Sequence, residues 1–297
     1  MTETALILGA NGRFGRHMAR ALAETGWHTR PFDRAKDSLP RAAKGVDLIV
    51  YGWNPTYDRW AAEVAGQAAE VIAAAKLSGA TVLIPGNVYV YGANAPEVWA
   101  DDTPHQATNP LGRIRMGLEQ AFRDAGVQTI VLRAGDFLDA AATGNWFDMV
   151  IAAKLDKGRF SYPGDLDTPH SWAFLPDYTR AFAALASQRD VLPRFSSINF
   201  PGYTLTGRQM AAHLGVTPSQ MSWLPIQVAR PFWKLARHLL EMRYLWNKPH
   251  RMESAALERL LPDFTPTPVA KALAQVASFQ VNPDQVMVRR PVATAAE

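Results

Sequence analysis

The amino-acid sequence predicts an α/β protein, a doubly wound parallel sheet followed by a smaller C-terminal lobe. Three observations carry this. Short apolar strands alternate with helical segments over the first 135 residues. The connections between them are short, as right-handed β-α-β crossovers require. Beyond residue 135 the alternation loosens and the aromatic content rises.

The elements follow in order. Thr4 to Leu8 is a continuously apolar strand of the kind covered on both faces. Arg16 to Glu24 places Met18, Ala19, Leu22 and Ala23 on one helical face, and Thr25-Gly26 ends it. His28 to Phe32 and Asp47 to Tyr51 read as the second and third strands. Tyr57 to Leu77 is an Ala-rich helix stopped by Ser78-Gly79. Thr81 to Ile84 is a strand, Leu111 to Ala125 a helix stopped by Gly126, and Val127 to Leu132 a further strand. Later, Asn145 to Lys157, Pro176 to Ser187, Thr206 to Leu214, Glu253 to Leu261 and Pro268 to Val276 read as helices. Pro225 to Lys248 is rich in Trp, Leu and Arg, and Pro291 to Glu297 reads as a frayed tail. The expected division is a nucleotide-binding core over 1–140 and a mixed, mostly helical substrate lobe over 141–297, with late elements that can return to the core.

Composition narrows the function. A net charge of +4 with scattered Lys and Arg gives no nucleic-acid arm. The absence of cysteine removes disulfides, thiolate metal sites and cysteine nucleophiles, and fits a reducing compartment. No apolar run approaches the roughly 18 residues that span a membrane, and a cytoplasmic protein is the expectation. The histidines are scattered and no carboxylate cluster has ligand spacing, so no metal is expected; no Gly-x-Ser-x-Gly speaks for hydrolysis.

Gly9, Gly12 and Gly15 sit between the first strand and the first helix. In that setting the first glycine permits a tight turn, the second lets backbone approach a pyrophosphate, and the third lets helix and strand pack closely. The helix N-terminus offers free N–H groups to phosphates. A Rossmann-type fold binding NAD or NADP follows. The cofactor residues expected are Gly9, Asn11, Gly12, Arg13, Phe14 and Gly15, Tyr51, Gly52 and Trp53 after the third strand, Pro85, and Asp33 with Arg34 after the second. An acidic residue there suits the ribose hydroxyls, an arginine the 2′-phosphate. Several arginines (Arg13, Arg30, Arg34) tip the reading slightly toward NADP.

The spacing Gly-x-x-Gly-x-x-Gly in Gly9-Ala10-Asn11-Gly12-Arg13-Phe14-Gly15 resembles the extended and atypical short-chain dehydrogenases/reductases. Asn87-Val88-Tyr89-Val90-Tyr91-Gly92 resembles the active-site strand of sugar-nucleotide epimerases, and Asn109-Pro110-Leu111-Gly112-Arg113-Ile114-Arg115 their catalytic helix. Leu132 to Phe137 and Trp172 to Asp177 are similar to later family segments. The resemblance covers roughly residues 4 to 215. It implies a Ser/Thr, a Tyr and a Lys four residues beyond the Tyr, so that both lie on one helical face. Here those positions hold Asn87, Leu111 and Arg115. Leu111 cannot transfer a proton; Arg115 can still supply charge to a cofactor ribose.

Two readings follow. In the first, an oxidoreductase or epimerase/dehydratase-like protein acts by hydride transfer on a small organic substrate through another acid. Asn87, Tyr89, Arg115 and Asp136 are the candidates, and His170 reads as an ordinary loop histidine. In the second, the chain senses NAD(P) without turnover, resembling the NmrA-like regulators. The aromatic later half (Trp146, Phe147, Trp172, Trp223, Phe232, Trp233, Tyr244, Trp246) reads first as packing, with a planar-substrate pocket as the alternative. A stripe over Pro231 to Trp246 allows a membrane or dimer contact, and the two long helices allow a homodimer.

Overall fold

The computed structural model describes residues 2–141 and 144–281; the expected tail over Pro291 to Glu297 lies outside them. The first half runs β1 (Thr4–Leu8), α1 (Arg13–Glu24), β2 (His28–Pro31), α2 (Leu39–Ala42), β3 (Leu48–Tyr51), α3 (Trp60–Ser78), β4 (Thr81–Asn87), β5 (Val98–Trp99), α4 (Pro110–Ala125) and β6 (Thr129–Ala134). The second half runs β7 (Asp136–Leu138), β8 (Arg159–Tyr162), β9 (His170–Phe174), α5 (Leu175–Ser187), β10 (Phe195–Asn199), β11 (Tyr203–Leu205), α6 (Gly207–His213), β12 (Thr217–Gln220), α7 (Leu224–Ala229), α8 (Lys234–Glu241), β13 (Arg251–Met252), α9 (Ala255–Leu260) and α10 (Val269–Val281).

The main sheet has six parallel strands in the order β10-β6-β4-β3-β1-β2. This is the expected doubly wound, Rossmann-type α/β fold. Strand alternation sorts the side chains by face. Leu6, Ile49 and Val82 pack under α3 and α4, with Val64, Leu118 and Phe122. Ala5, Val50, Leu83 and Leu132 pack under α1 and α5, with Met18, Tyr178 and Phe182. Helices α3 and α4 end at Gly79 and Gly126, both left-handed, so their glycine stops act as the sequence implies.

The smaller lobe has its own core of Phe147, Phe160, Trp172, Phe174, Trp246 and Leu273. It supports a three-stranded sheet, β11-β9-β7, and a two-stranded one, β12-β8. Strand β10 leaves this half and pairs with β6 of the main sheet.

One expected helix takes another form. Asn145 to Lys157 is a π turn at Phe147–Ile151 and a 3-10 turn at Leu155–Lys157. The Asp148 carboxylate accepts the amides of Gly144 and Asn145, closing a local turn where a helix would continue. The Pro225 to Lys248 segment breaks at Pro231, which has no N–H to donate, into α7 and α8.

Candidate functional site

The order of the main sheet reverses between β1 and β3, and a crevice outside the carboxyl ends of the strands forms at such a point. The Gly9 and Gly52 turns meet there backbone to backbone. A Cβ on Gly9 would lie 2.8 Å from the Gly52 oxygen, and one on Gly52 would lie 2.4 Å from the Leu8 oxygen. A Cβ on Gly15 would fall 2.2 Å from the Gly9 oxygen, so α1 can pack against the turn only without a side chain there. Gly12 is the N-cap of α1. No side chain caps it and no acidic residue occupies the first turn, which leaves the leading amides for an anion. The cradle fits a pyrophosphate. Phe14 packs its ring against Tyr178 and Phe182, so its contribution to the turn is its backbone amide. Asn11 is exposed.

At the ends of β2 and β3 the Arg34 guanidinium lies over the Trp53 ring, 3.6 Å from its centroid. Trp53 in turn meets the edges of Phe32 and the buried Tyr51. Asp33 accepts the Ala35 amide at 2.9 Å and pairs with Lys36 at 3.1 Å, and these bonds hold its carboxyl below the usual range. Of the arginines that tip the reading toward NADP, two donate to backbone carbonyls. Arg30 donates to the Ala42 carbonyl, and Arg13 donates to the Gly144 carbonyl at 3.3 Å. Arg34 remains at this end, beside Asp33.

At the positions where the resemblance implies Ser/Thr, Tyr and Lys, the residues Asn87, Leu111 and Arg115 have structural partners. Leu111 is fully buried in the core beneath α4, and its backbone amide donates to Glu241 at 2.7 Å. Arg115 is buried, donates to the Pro85 carbonyl at 2.5 Å, and lies 5.6 Å from the Trp60 ring centroid. Asn87 turns its side chain back to accept the Tyr89 amide at 3.2 Å. Its own carbonyl is held by Arg133 at 2.8 Å, which also makes a paired contact with Glu119 at 2.9 and 2.7 Å. That buried ion pair keeps Glu119 below and Arg133 above their ordinary pKa values, the attraction outweighing burial.

The ionisable groups that remain gather on two pairs of residues distant in sequence. The hydroxyls of Tyr57 and Tyr89 are 2.5 Å apart. Burial pushes Tyr57 up to about 12, and burial together with Tyr57 and Asp136 pushes Tyr89 well above 10. Asp136 opens β7, and its carboxylate lies 2.8 Å from Nε2 of His170. The carboxylate is 24% exposed and the imidazole only 2%. His170 is therefore not a loop residue. It opens β9, stacks on Trp246 at 4.5 Å and 5°, and meets the His250 ring at 4.4 Å. His250 stacks on Trp99 and is held well below its ordinary pKa by burial, then by His170. The buried His170 Nδ1, Tyr162 hydroxyl and Tyr244 hydroxyl have no protein partner among the described residues.

Tyr57 and the Asp136–His170 pairing are the features that sequence reading missed. The pairing arises from the β7–β9 register, which sets Asp136 beside Trp172. Tyr57 read as the first residue of a helix; it lies in a 3-10 turn ahead of α3. A surface recess of about 690 Å³, lined by Met149, Lys154, Arg159, Ser161 and Thr217, shares no residue with this site.

No family model matches the chain, and no curated protein matches it in sequence. Solved structures match its fold. MoeE5 in complex with UDP-glucose and NAD aligns with a TM-score of 0.73 at 16% identity, covering 95% of this chain and 99% of that one. TunA, described as an NAD dependent-NDP-hexosamine 5,6-dehydratase involved in tunicamycin biosynthesis, gives 0.72 at 15% identity over 98% and 99%. The dTDP-4-dehydrorhamnose reductase from Bacillus anthracis in complex with NADP gives 0.68 at 16% identity over 93% and 99%. The chain thus has the fold of epimerase/dehydratase structures along nearly its whole length.

Proposed function

We infer that this chain binds NAD or NADP and acts as an oxidoreductase or epimerase/dehydratase-like protein, with a proton-handling group that replaces the family's Tyr and Lys. The observation that carries the reading is the Asp136–His170 pair, 2.8 Å apart, whose carboxylate acts on the paired Tyr57 and Tyr89 hydroxyls, with Tyr57 following β3, Tyr89 following β4 and Asp136 following β6. A bound nicotinamide would supply the hydride chemistry. The Gly9, Gly12 and Gly15 turn with the α1 amides would hold the pyrophosphate, and Asp33 and Arg34 the adenosine end.

Within the pair, Asp136 is the partly exposed member and the acid–base candidate; His170 orients it from a buried position. Tyr89, a phenol protonated near neutral pH and with its pKa raised further by burial, can donate a hydrogen bond and does not act as a base. Arg115 is a positioning residue: it holds the Pro85 carbonyl and puts positive charge near Tyr57. The matched structures bind UDP-glucose or are described as acting on NDP-hexosamine, so nucleotide sugars head the substrate panel.

The test has two stages. Fluorescence titration with NADH and NADPH should show binding of at least one. Turnover on a panel of nucleotide sugars and carbonyl compounds should then fall by roughly 100-fold or more in Asp136→Asn, with cofactor affinity unchanged and a smaller loss in Tyr89→Phe. Absence of binding to both cofactors would sink the reading.

A second reading, an NAD(P)-responsive regulatory protein, is favoured by one observation. The Tyr position is a fully buried Leu111, and Arg115 is committed to Pro85 and Trp60. Cofactor binding with no turnover across the panel would select it.

A further inference from the structure

Among the described residues, the large exposed apolar side chains Leu77, Met149 and Val191 stand apart from one another in sequence, whereas Leu224, Val228, Phe232 and Trp233 fall within ten positions. Scattered apolar residues are ordinary on a protein surface; a cluster is not. This cluster is a tip. Helices α7 and α8 are joined by a tight turn in which the amides of Phe232 and Trp233 both donate to the Ala229 carbonyl, at 3.0 and 2.8 Å. Phe232 projects from the turn 93% exposed, and Trp233 is 44% exposed.

The base of the tip is fixed. Trp223, ahead of α7, donates its indole N–H to the Pro163 carbonyl at 2.6 Å. At the far end of α8, Glu241 accepts from Asn109 and from the Leu111 amide. The exposed apolar residues are therefore presented on a supported element.

Charge decides what the tip meets. Arg230, Lys234 and Arg237 are exposed on it, and residues 191–240 contain no carboxylate. Among the described residues, Asp58 faces Lys234 and His238, and Glu241 is turned inward to α4. A twofold contact between copies would set this basic patch against itself, with like charges opposed. A standard interface also draws on about 20–30 residues a side, more than this tip presents. An anionic lipid surface satisfies both features, since aromatic side chains enter the headgroup–acyl boundary while Lys and Arg meet phosphates.

We propose that the α7–α8 tip, Leu224 to Arg237, is a peripheral membrane anchor that sets Phe232 and Trp233 into the interface of an anionic phospholipid bilayer. No described helix is long and apolar enough to cross a membrane, and the tip needs none, because it lies in the interface.

Co-sedimentation of the full chain with vesicles tests this. The protein should pellet with phosphatidylcholine vesicles containing phosphatidylglycerol and remain in the supernatant with phosphatidylcholine alone, and added salt should weaken the binding. Phe232→Ser combined with Trp233→Ser should lower partitioning by roughly tenfold or more, as should Arg230→Glu with Lys234→Glu. All four side chains are exposed, and circular dichroism would verify that the variants stay folded. Failure of the wild type to pellet with anionic vesicles would overturn the proposal. So would unchanged binding in both variants, or self-association by light scattering that Phe232→Ser abolishes in a protein that ignores vesicles.

Discussion

His105 lies against the buried Arg133–Glu119 pair, 3.8 Å from Glu119, and burial, then Arg133, pushes its pKa down to about 4. The unfolded chain protonates this imidazole near its ordinary 6.5. Its share of stability is therefore complete above about pH 6.5 and is lost as pH falls toward 4, because the unfolded state then binds the extra proton. The share is at most about 3 kcal/mol, and the depressed His250 acts in the same direction. His105→Asn should flatten the fall in urea-unfolding stability between about pH 6.5 and pH 4, with the His250 part remaining; an unchanged pH profile would contradict the assignment. At this scale the sequence is readable where chemistry is local. Gly9, Gly12 and Gly15 announce their turn because three near neighbours in the chain shape it. Asp136 and His170 do not announce their pairing, since 34 residues separate them and only the β7–β9 register unites them. Pro169 ahead of His170 also imitates a loop.

Helices read better than strands here, and the reasons are physical. α3 and α4 carry long apolar faces and left-handed glycine stops, both visible in the chain. Strands β8 and β12 are four residues each, with sequences RFSY and TPSQ that show little apolar alternation. Their pairing with one another defines them, and periodicity cannot show that. The interhelical tie at Glu241 is equally hidden. Its Oε1 accepts both the Asn109 side-chain amide, at 2.8 Å, and the Leu111 backbone amide, locking α8 over the first turn of α4. A carboxylate accepting at a helix N-terminus also gains from the helix dipole. Glu241→Ala should cost about 1.5–3 kcal/mol and raise amide hydrogen exchange in α8 and at the head of α4. Glu241→Gln should recover part of that loss. Exchange unchanged in both elements would show that the tie holds nothing.

At the scale of the molecule, late elements return to the core, as the division expected near residue 140 allows. β10 supplies its sixth strand, and α5 lays Tyr178, Ala181 and Phe182 over the same face as Ile130 and Leu132. A chain ending at residue 140 leaves β6 as an unpaired edge above an uncovered apolar face. It should lack a cooperative unfolding transition and bind the dye ANS; a soluble, cooperatively unfolding fragment would argue that the first half stands alone. The doubly wound core is legible from β-α alternation, whereas the return of Phe195–Asn199 is not, because FSSIN carries little strand signal of its own. That return also sets a clock. The ribosome must add about 60 residues after β6 before β10 exists, and at about 5–20 residues per second the edge waits roughly 3–12 s. Through that interval the nascent chain displays a paired, apolar, growing sheet with one side open. Synthesis speed across 135–199, and the chaperones at hand, then govern how much of the product escapes aggregation.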